Sequence, residues 1–104
     1  NCRIHYMERH RRVFSLDKFF DRFYCCEEFA FIPKYEIFRK IEPEHPGKFI
    51  VIGDRFHDIE TAVRNNLRSV GCSYGYGSPE ELTAADIIAD NPLEIISAVA
   101  KLTI

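Results

Sequence analysis

The sequence predicts an α/β domain built on a parallel sheet with helices on both faces. Patterns typical of helices and of strands alternate along all 104 residues, with a helix pattern first and last. The run Phe49 to Ile52 is apolar without alternation, as expected of a strand buried on both faces of a parallel sheet. Two later helix starts carry a capping residue, a proline and a glutamate, at residues 78–81 and 91–94.

The first half of the chain predicts two helices, one short helical turn and one strand. Apolar spacing predicts the first helix, and Ser15 can cap the turn that follows it. Pro33 disfavours a helical conformation at Ile32, so a second helix is expected to begin at Lys34 and to end near Ile41. The four predicted elements are, in order, a helix over 2–14, a turn over 16–20, a strand over 23–25 and a helix over 34–41.

The second half continues the alternation from the central run. Asp58 is expected to open a helix with Ile59, Ala62 and Val63 on its buried face, and Asn65-Asn66 is expected to stop it because asparagine tolerates left-handed backbone. A further helix is predicted from Pro79, and Pro92 to Leu102 closes the chain as the last helix. The predicted strands of this half lie near 49–52, 68–72 and 86–88.

Composition limits the functions that the chain can have. Fourteen basic and sixteen acidic residues are interspersed and give a formal net charge of −2, which does not favour a nucleic-acid partner. The four cysteines have no zinc-site spacing. With no signal peptide and no long apolar run, the sequence predicts a cytoplasmic protein with free thiols and no membrane partner.

Two aspartates follow the central strand directly. Asp54 and Asp58 lie four residues apart after Gly53, and open α/β sheets bind ligands beyond the carboxyl ends of their strands. Two carboxylates at such a place suit Mg2+. The alternative is purely structural, with Gly53 and Asp54 in a turn and Asp58 as a helix N-cap.

Two glycines at alternate positions, Gly75 and Gly77, lie in the loop that is predicted to follow the strand near 68–72. They would allow the backbone to approach a ligand or a neighbouring loop closely. The alternative is a turn that needs unusual dihedral angles.

Three segments, in this order, resemble the carboxyl-terminal part of a haloacid dehalogenase (HAD) superfamily hydrolase of the phosphoglycolate phosphatase-like branch. Each matches one stretch of that family's pattern, and the middle one holds its G-D-x-x-x-D acidic motif. The resemblance implies a Rossmann-like parallel sheet. The segments are Lys34-Tyr35-Glu36-Ile37, Phe49 to Ile59, and Val70 to Leu82.

The resemblance also implies roles for three residues. Asp54 would be the principal Mg2+ ligand, Asp58 the second acid on the metal or its waters, and Lys34 the lysine that neutralises phosphate charge. The implied reaction is hydrolysis of a small phosphorylated metabolite through an aspartyl-phosphate. Phosphoryl transfer depends on positioning and charge stabilisation, work that suits a cation and a lysine. The family lysine is often followed by proline, whereas here Pro33 precedes Lys34.

The chain departs from the family in lacking a D-x-D motif, because no two of its aspartates are separated by a single residue. It also begins at Asn1 without an initiator methionine. We therefore expect residues 1–104 to form one partial core domain without a cap domain, with the family's first two strands absent and a gap between the strands at 23–25 and 49–52.

Such a chain should be inactive alone. Its expected partner is the missing amino-terminal half of the protein, or a second chain that fills the gap. A non-catalytic, regulatory domain of the same fold is the alternative. A phospho-receiver domain also uses carboxylates and a lysine, but it needs an acidic pair early in the chain.

Overall fold

The computed structural model describes residues 2–103 and has four helices and three strands among them. Four short 3-10 turns join them, at Leu16–Lys18, Cys26–Phe29, Glu42–Glu44 and Pro79–Leu82. The helices and strands are α1 (Ile4–Val13), α2 (Lys34–Ile41), β1 (Ile50–Gly53), α3 (Phe56–Arg64), β2 (Arg68–Cys72), β3 (Ile87–Ala89) and α4 (Pro92–Leu102).

The three strands form one parallel sheet in the order β1-β2-β3. Ile52 pairs with Val70, and Val70 pairs with Ile87. Helices flank this sheet, α3 against β1 and β2 and α4 against β2 and β3. The predicted α/β class is therefore confirmed as a partial Rossmann-like arrangement, in which α3 joins β1 to β2 and the turn at Pro79–Leu82 joins β2 to β3.

The core lies where the helices meet the sheet. Val70 and Ala89 are fully buried against Ala98 of α4. Ile59 and Ala62, on one stripe of α3, are 2% and 1% exposed. Helical spacing predicted burial of Ile59 and Ala62 correctly, whereas Val63, which was predicted on the same buried face, is 55% exposed.

The predicted strand at residues 23–25 is wrong. In the described part of the chain this segment pairs with no strand, and it leads directly into the turn at Cys26–Phe29. The Cys25 N–H donates to Glu28 Oε1 at 3.0 Å, and the Tyr24 hydroxyl lies 2.7 Å from His45 Nε2. Aromatic and apolar composition favoured a strand here, but a strand also needs a paired neighbour.

The predicted helix boundaries need two corrections. The helix after β1 begins at Phe56, so Asp58 is its third residue and not its N-cap. The helix predicted from Pro79 is a single 3-10 turn. The first correction matters for the site, because it places the Asp58 carboxylate inside the first turn of α3.

Two other boundary signals are confirmed. The helix α3 ends at Arg64, and Asn66 adopts a left-handed backbone with φ of 55°. Asn91 caps α4, because its Oδ1 accepts hydrogen bonds from the Leu93 and Glu94 N–H groups at 3.0 and 3.2 Å.

The four cysteines are free thiols, three of them buried. Within residues 2–103, no helix is both long enough and apolar enough to cross a membrane.

Candidate active site

Two of the three predicted site residues form an ion pair. Lys34, the first residue of α2, donates from Nζ to Asp58 Oδ1 at 2.7 Å. The Asp58 side chain is only 14% exposed and that of Lys34 is 37% exposed. Residues 24 positions apart in the sequence thus meet beside the start of α3, a pairing that the sequence did not predict.

The backbone before α3 holds the Asp58 carboxylate in place. Its Oδ2 accepts a hydrogen bond from the Arg55 N–H at 3.2 Å. A Cβ atom on Gly53 would overlap the Asp58 carboxylate, and Gly53 does not have a positive φ. Gly53 therefore serves close approach and not an unusual turn conformation, and both Asp58 oxygens have partners.

The loop after β2 holds the Asp54 carboxylate. The Tyr76 N–H donates to Asp54 Oδ2 at 2.8 Å. A Cβ atom on Gly75 would overlap the Asp54 side chain, and one on Gly77 would overlap the Asp54 carbonyl oxygen. Neither glycine has a positive φ. Of the two interpretations offered by the sequence, close approach to a neighbouring loop is the one that the structure supports.

Glu81 joins this loop to the start of α3. Its Oε2 accepts from the Ser78 N–H at 2.8 Å, and its Oε1 accepts from Phe56 N–H at 3.3 Å and from Arg55 Nε at 3.2 Å. These hydrogen bonds, that from Ser78 most strongly, lower the pKa of the Glu81 carboxyl below its ordinary value. The sequence assigned Glu81 only to a helix start at Ser78, and no local pattern indicated its contact with α3.

The donor set of this edge suits Mg2+ chemically. Among residues 2–103, no three His, Cys, Asp or Glu side chains lie close enough together to hold a metal ion. Asp54 and Asp58 nevertheless offer hard carboxylate oxygens, and Mg2+ is usually bound through one or two carboxylates together with waters and substrate phosphates. Asp54 is the better candidate, because Asp58 already pairs with Lys34 and the Arg55 N–H.

The fold and this edge define a class of protein: an α/β domain with acidic and basic side chains gathered beyond the carboxyl ends of parallel strands, where such sheets bind ligands. The chain belongs to the HAD-hydrolase-like family, whose profile matches residues 28–102. The resemblance inferred from the three sequence segments is thereby confirmed at the level of the superfamily.

Two known proteins are similar to parts of the chain. A crystal structure of a predicted phosphatase from Clostridium acetobutylicum is 36% identical and superposes with a TM-score of 0.59 over 67% of this chain. A 5'-nucleotidase from Pseudomonas aeruginosa is 49% identical over 35 residues, which are 34% of this chain. The chain spans 35% of the phosphatase structure and 16% of the nucleotidase.

Proposed function

We propose that this chain supplies the lysine and the acidic residues of a Mg2+-dependent phosphohydrolase that acts on small phosphorylated metabolites. The observation that carries the proposal is the Lys34–Asp58 ion pair at the start of α3, in the segment that begins with Asp54 directly after β1. Family membership and the similarity to a predicted phosphatase support it.

Lys34 would bind the phosphate of the substrate. An ammonium group has three N–H donors, and one of them is directed at Asp58. The pair fixes the position of Nζ, and the 37% exposure of Lys34 leaves its side chain accessible to an anion. Asp58 would therefore act as the residue that positions Lys34, in addition to its role near the metal.

Asp54 would hold Mg2+, with Asp58 bound to the ion or to its waters. The ion would supply positive charge that neutralises the phosphate oxygens. The contacts of Asp54 with the loop at 75–77 support this role, because they fix the carboxylate before any cation arrives.

The nucleophile would come from outside this chain. No D-x-D motif occurs in the 104 residues, so an aspartyl-phosphate intermediate would form on another part of the protein or on a partner chain. We propose that residues 1–104 form a single partial core domain without a cap, that the protein is cytoplasmic, and that the chain alone does not turn over substrate.

A titration with Mg2+ tests the metal site. Because a ligand that binds only the folded state stabilises it, Mg2+ at ten times its dissociation constant should raise the melting temperature by about 7 °C. Asp54→Asn should remove the rise. Asp21→Asn, at an exposed aspartate outside the site, is the matched control and should retain it. An unchanged melting temperature at millimolar Mg2+ would refute the metal assignment.

An assay of p-nitrophenyl phosphate hydrolysis with Mg2+ tests the claim that the chain alone does not turn over substrate. The pure chain should show no turnover above buffer, because it has no family nucleophile. Turnover that Lys34→Ala abolishes would contradict the claim of inactivity while supporting the site.

A non-catalytic, regulatory domain is the second candidate, and the engagement of both Asp58 oxygens by Lys34 and the Arg55 N–H favours it. The two candidates separate in the protein that carries the upstream segment. Loss of activity in its Asp54→Asn variant supports the hydrolase, and an inactive parent protein that still binds Mg2+ supports the regulatory domain.

A further inference from the structure

The segment before α1 lies across the turn at Cys26–Phe29. The Cys26 thiol donates to the Cys2 carbonyl oxygen, with 3.2 Å between the sulfur and the oxygen. The Ile4 N–H donates to Glu27 Oε1 at 2.7 Å. These neighbouring hydrogen bonds bring together two cysteines that are 24 positions apart in the sequence.

The contact between Cys2 and Cys26 leaves little distance for a disulfide to close. A carbonyl oxygen lies about 2.4 Å from the Cα of its own residue, so the Cys26 sulfur lies no more than about 6 Å from the Cys2 Cα. In a disulfide the two Cα atoms are usually about 4.4–6.8 Å apart. Cys2 precedes α1 and belongs to no helix or strand, so a rotation of its side chain with a small shift of the backbone can supply this geometry.

The thiols of the chain differ in their access to solvent. Cys2 is half-buried, whereas Cys25, Cys26 and Cys72 are only 3%, 5% and 6% exposed. A small oxidant in solution therefore reaches Cys2 first, and accessible thiols are the ones that oxidise. The thiol that an oxidised Cys2 then meets is that of Cys26.

Cys25 is the poorer partner for Cys2, although it is adjacent to Cys26 in the sequence. Its thiol donates to Glu28 Oε1 at 3.3 Å and is thus directed at a carboxylate of the turn. Burial raises the pKa of the Cys25 thiol, and the neighbouring Glu28 carboxylate also disfavours the thiolate. Because the thiolate is the reactive form of cysteine, Cys25 is the less reactive of the two neighbours.

We propose that Cys2 and Cys26 are a peroxide-sensitive pair, whose disulfide fastens the start of α1 to the turn at Cys26–Phe29. The Cys2 thiolate attacks one oxygen of hydrogen peroxide, and the O–O bond breaks to give a sulfenic acid on Cys2 and hydroxide. The Cys26 sulfur then attacks the sulfenic sulfur, so that the S–S bond forms and the S–O bond breaks. The Cys26 thiol proton leaves with the hydroxyl group as water. Both thiols are oxidised, and the peroxide is reduced to water.

This bond changes how α1 is attached to the rest of the chain. No residue of α1 is buried, and the hydrogen bond from the Ile4 N–H to Glu27 is an exposed polar contact. The disulfide adds a covalent link that encloses the whole of α1 in a loop. In a reducing compartment such a bond is transient, so the attachment of α1 would follow the peroxide concentration. The inference is independent of the proposed phosphohydrolase activity.

Peptide mapping of the oxidised 104-residue chain tests the inference. After treatment with hydrogen peroxide, two of the four thiols should no longer react with N-ethylmaleimide, and dithiothreitol should restore both. Proteolytic digestion and mass spectrometry should find one pair of peptides joined through Cys2 and Cys26. A bond between any other pair, a bond between two chains, or oxidation without any bond would overturn the inference.

Single variants verify the pair. Cys2→Ser should abolish the bond, whereas Cys72→Ser removes a buried thiol from β2 and is the matched control that should retain it. Cys25→Ser should also retain it. Loss of the bond in a Cys25→Ser variant that circular dichroism shows to be folded would contradict the assignment of Cys26. The mapping of the wild-type chain needs no variant and stays decisive if one of them does not fold.

Hydrogen exchange measures the fastening of α1. The amide protons of α1 should exchange at least about tenfold more slowly in the oxidised chain, because the link opposes local separation of the helix. Cys2→Ser, treated with peroxide in the same way, should show no change. Equal exchange rates in the oxidised and reduced wild-type chain would overturn the proposal that the bond fastens α1.

Discussion

The first helix and the second strand represent two extremes of packing in this chain. No residue of α1 is buried, whereas the last four residues of β2 are all buried. Aromatic side chains around α1 remain open to solvent, with Phe14 at 62% and Phe19 at 75% exposure. The free energy of unfolding must therefore depend chiefly on the sheet and the helices α3 and α4, because apolar burial provides most of the favourable energy of folding.

The contacts of α1 are of a different kind. The Ile4 N–H donates to Glu27 Oε1 at 2.7 Å, and Arg11 forms a bidentate pair with Asp17 at 2.7 and 3.1 Å. Arg11 also lies 4.5 Å from the centroid of the Phe23 ring. Such exposed polar contacts contribute little to stability individually. They orient α1 without adding much to the stability of the sheet.

The sharpest test of this contrast is a pair of truncations, one in each region. Ile59→Ala should lower the free energy of unfolding by about 2–5 kcal/mol, because it leaves a cavity between α3 and the sheet. Phe14→Ala removes a larger side chain and should change the same free energy by less than about 0.5 kcal/mol. Urea denaturation measures both. Comparable losses in the two variants would show that α1 is packed more closely than its exposure indicates.

A smaller effect is expected where the backbone approaches Asp54. Gly75→Ala should destabilise the chain by about 1–3 kcal/mol, because the new methyl group would displace the Asp54 side chain. The double variant with Asp54→Gly is the control, since removal of that side chain should restore part of the loss. The cycle is measured by urea denaturation, and additive losses would mean that the methyl group conflicts with something else.

The smallest expected effect concerns pH and Glu81. The folded-state pKa of Glu81 is lowered, so its contribution to stability is fully present above the ordinary carboxyl pKa and is lost as pH falls through the folded value. Glu81→Gln should therefore lower the melting temperature at neutral pH and make little difference in acid. Glu80→Gln removes the same charge from the neighbouring position and is the control. If Glu81→Gln lowers the melting temperature as much in acid as at neutral pH, the ionised Glu81 carboxylate does not have this role.

Signals confined to a few neighbouring residues predicted most of the fold. The apolar run before Gly53 and the asparagine at 91 are of this kind, and both define elements of the structure. The predicted burial of the run on both faces is wrong, because β1 lies at the edge of the described sheet and Ile52 is 44% exposed. The segment at 23–25 was wrong because strand formation depends on a partner elsewhere in the chain. Asp58 was misplaced because the N-cap of its helix is Arg55, three residues earlier, and single-residue boundaries depend on tertiary contacts such as that between Phe56 and Glu81.

Long-range contacts also limited how much of the candidate site could be predicted from the sequence. The sequence identified Lys34, Asp54 and Asp58 individually and through family resemblance, but not the ion pair between the first and the last. It offered close approach as one of two interpretations of Gly75 and Gly77. No pattern in the sequence distinguishes close approach from an unusual turn, because the group that these glycines approach is Asp54, more than twenty residues away.

The hydrogen bonds that attach the loop after β2 to the start of α3 have a consequence for the motion of this loop. The Tyr76 N–H donates to the Asp54 carboxylate. The N–H groups of Ser78 and Phe56 both donate to the carboxylate of Glu81. With two attachments to one strand–helix junction, this loop cannot open without releasing the start of α3. The amide protons of Phe56, Tyr76 and Ser78 should consequently exchange with solvent as a single cooperative unit, and a ligand that fixes Asp54 should slow all three together.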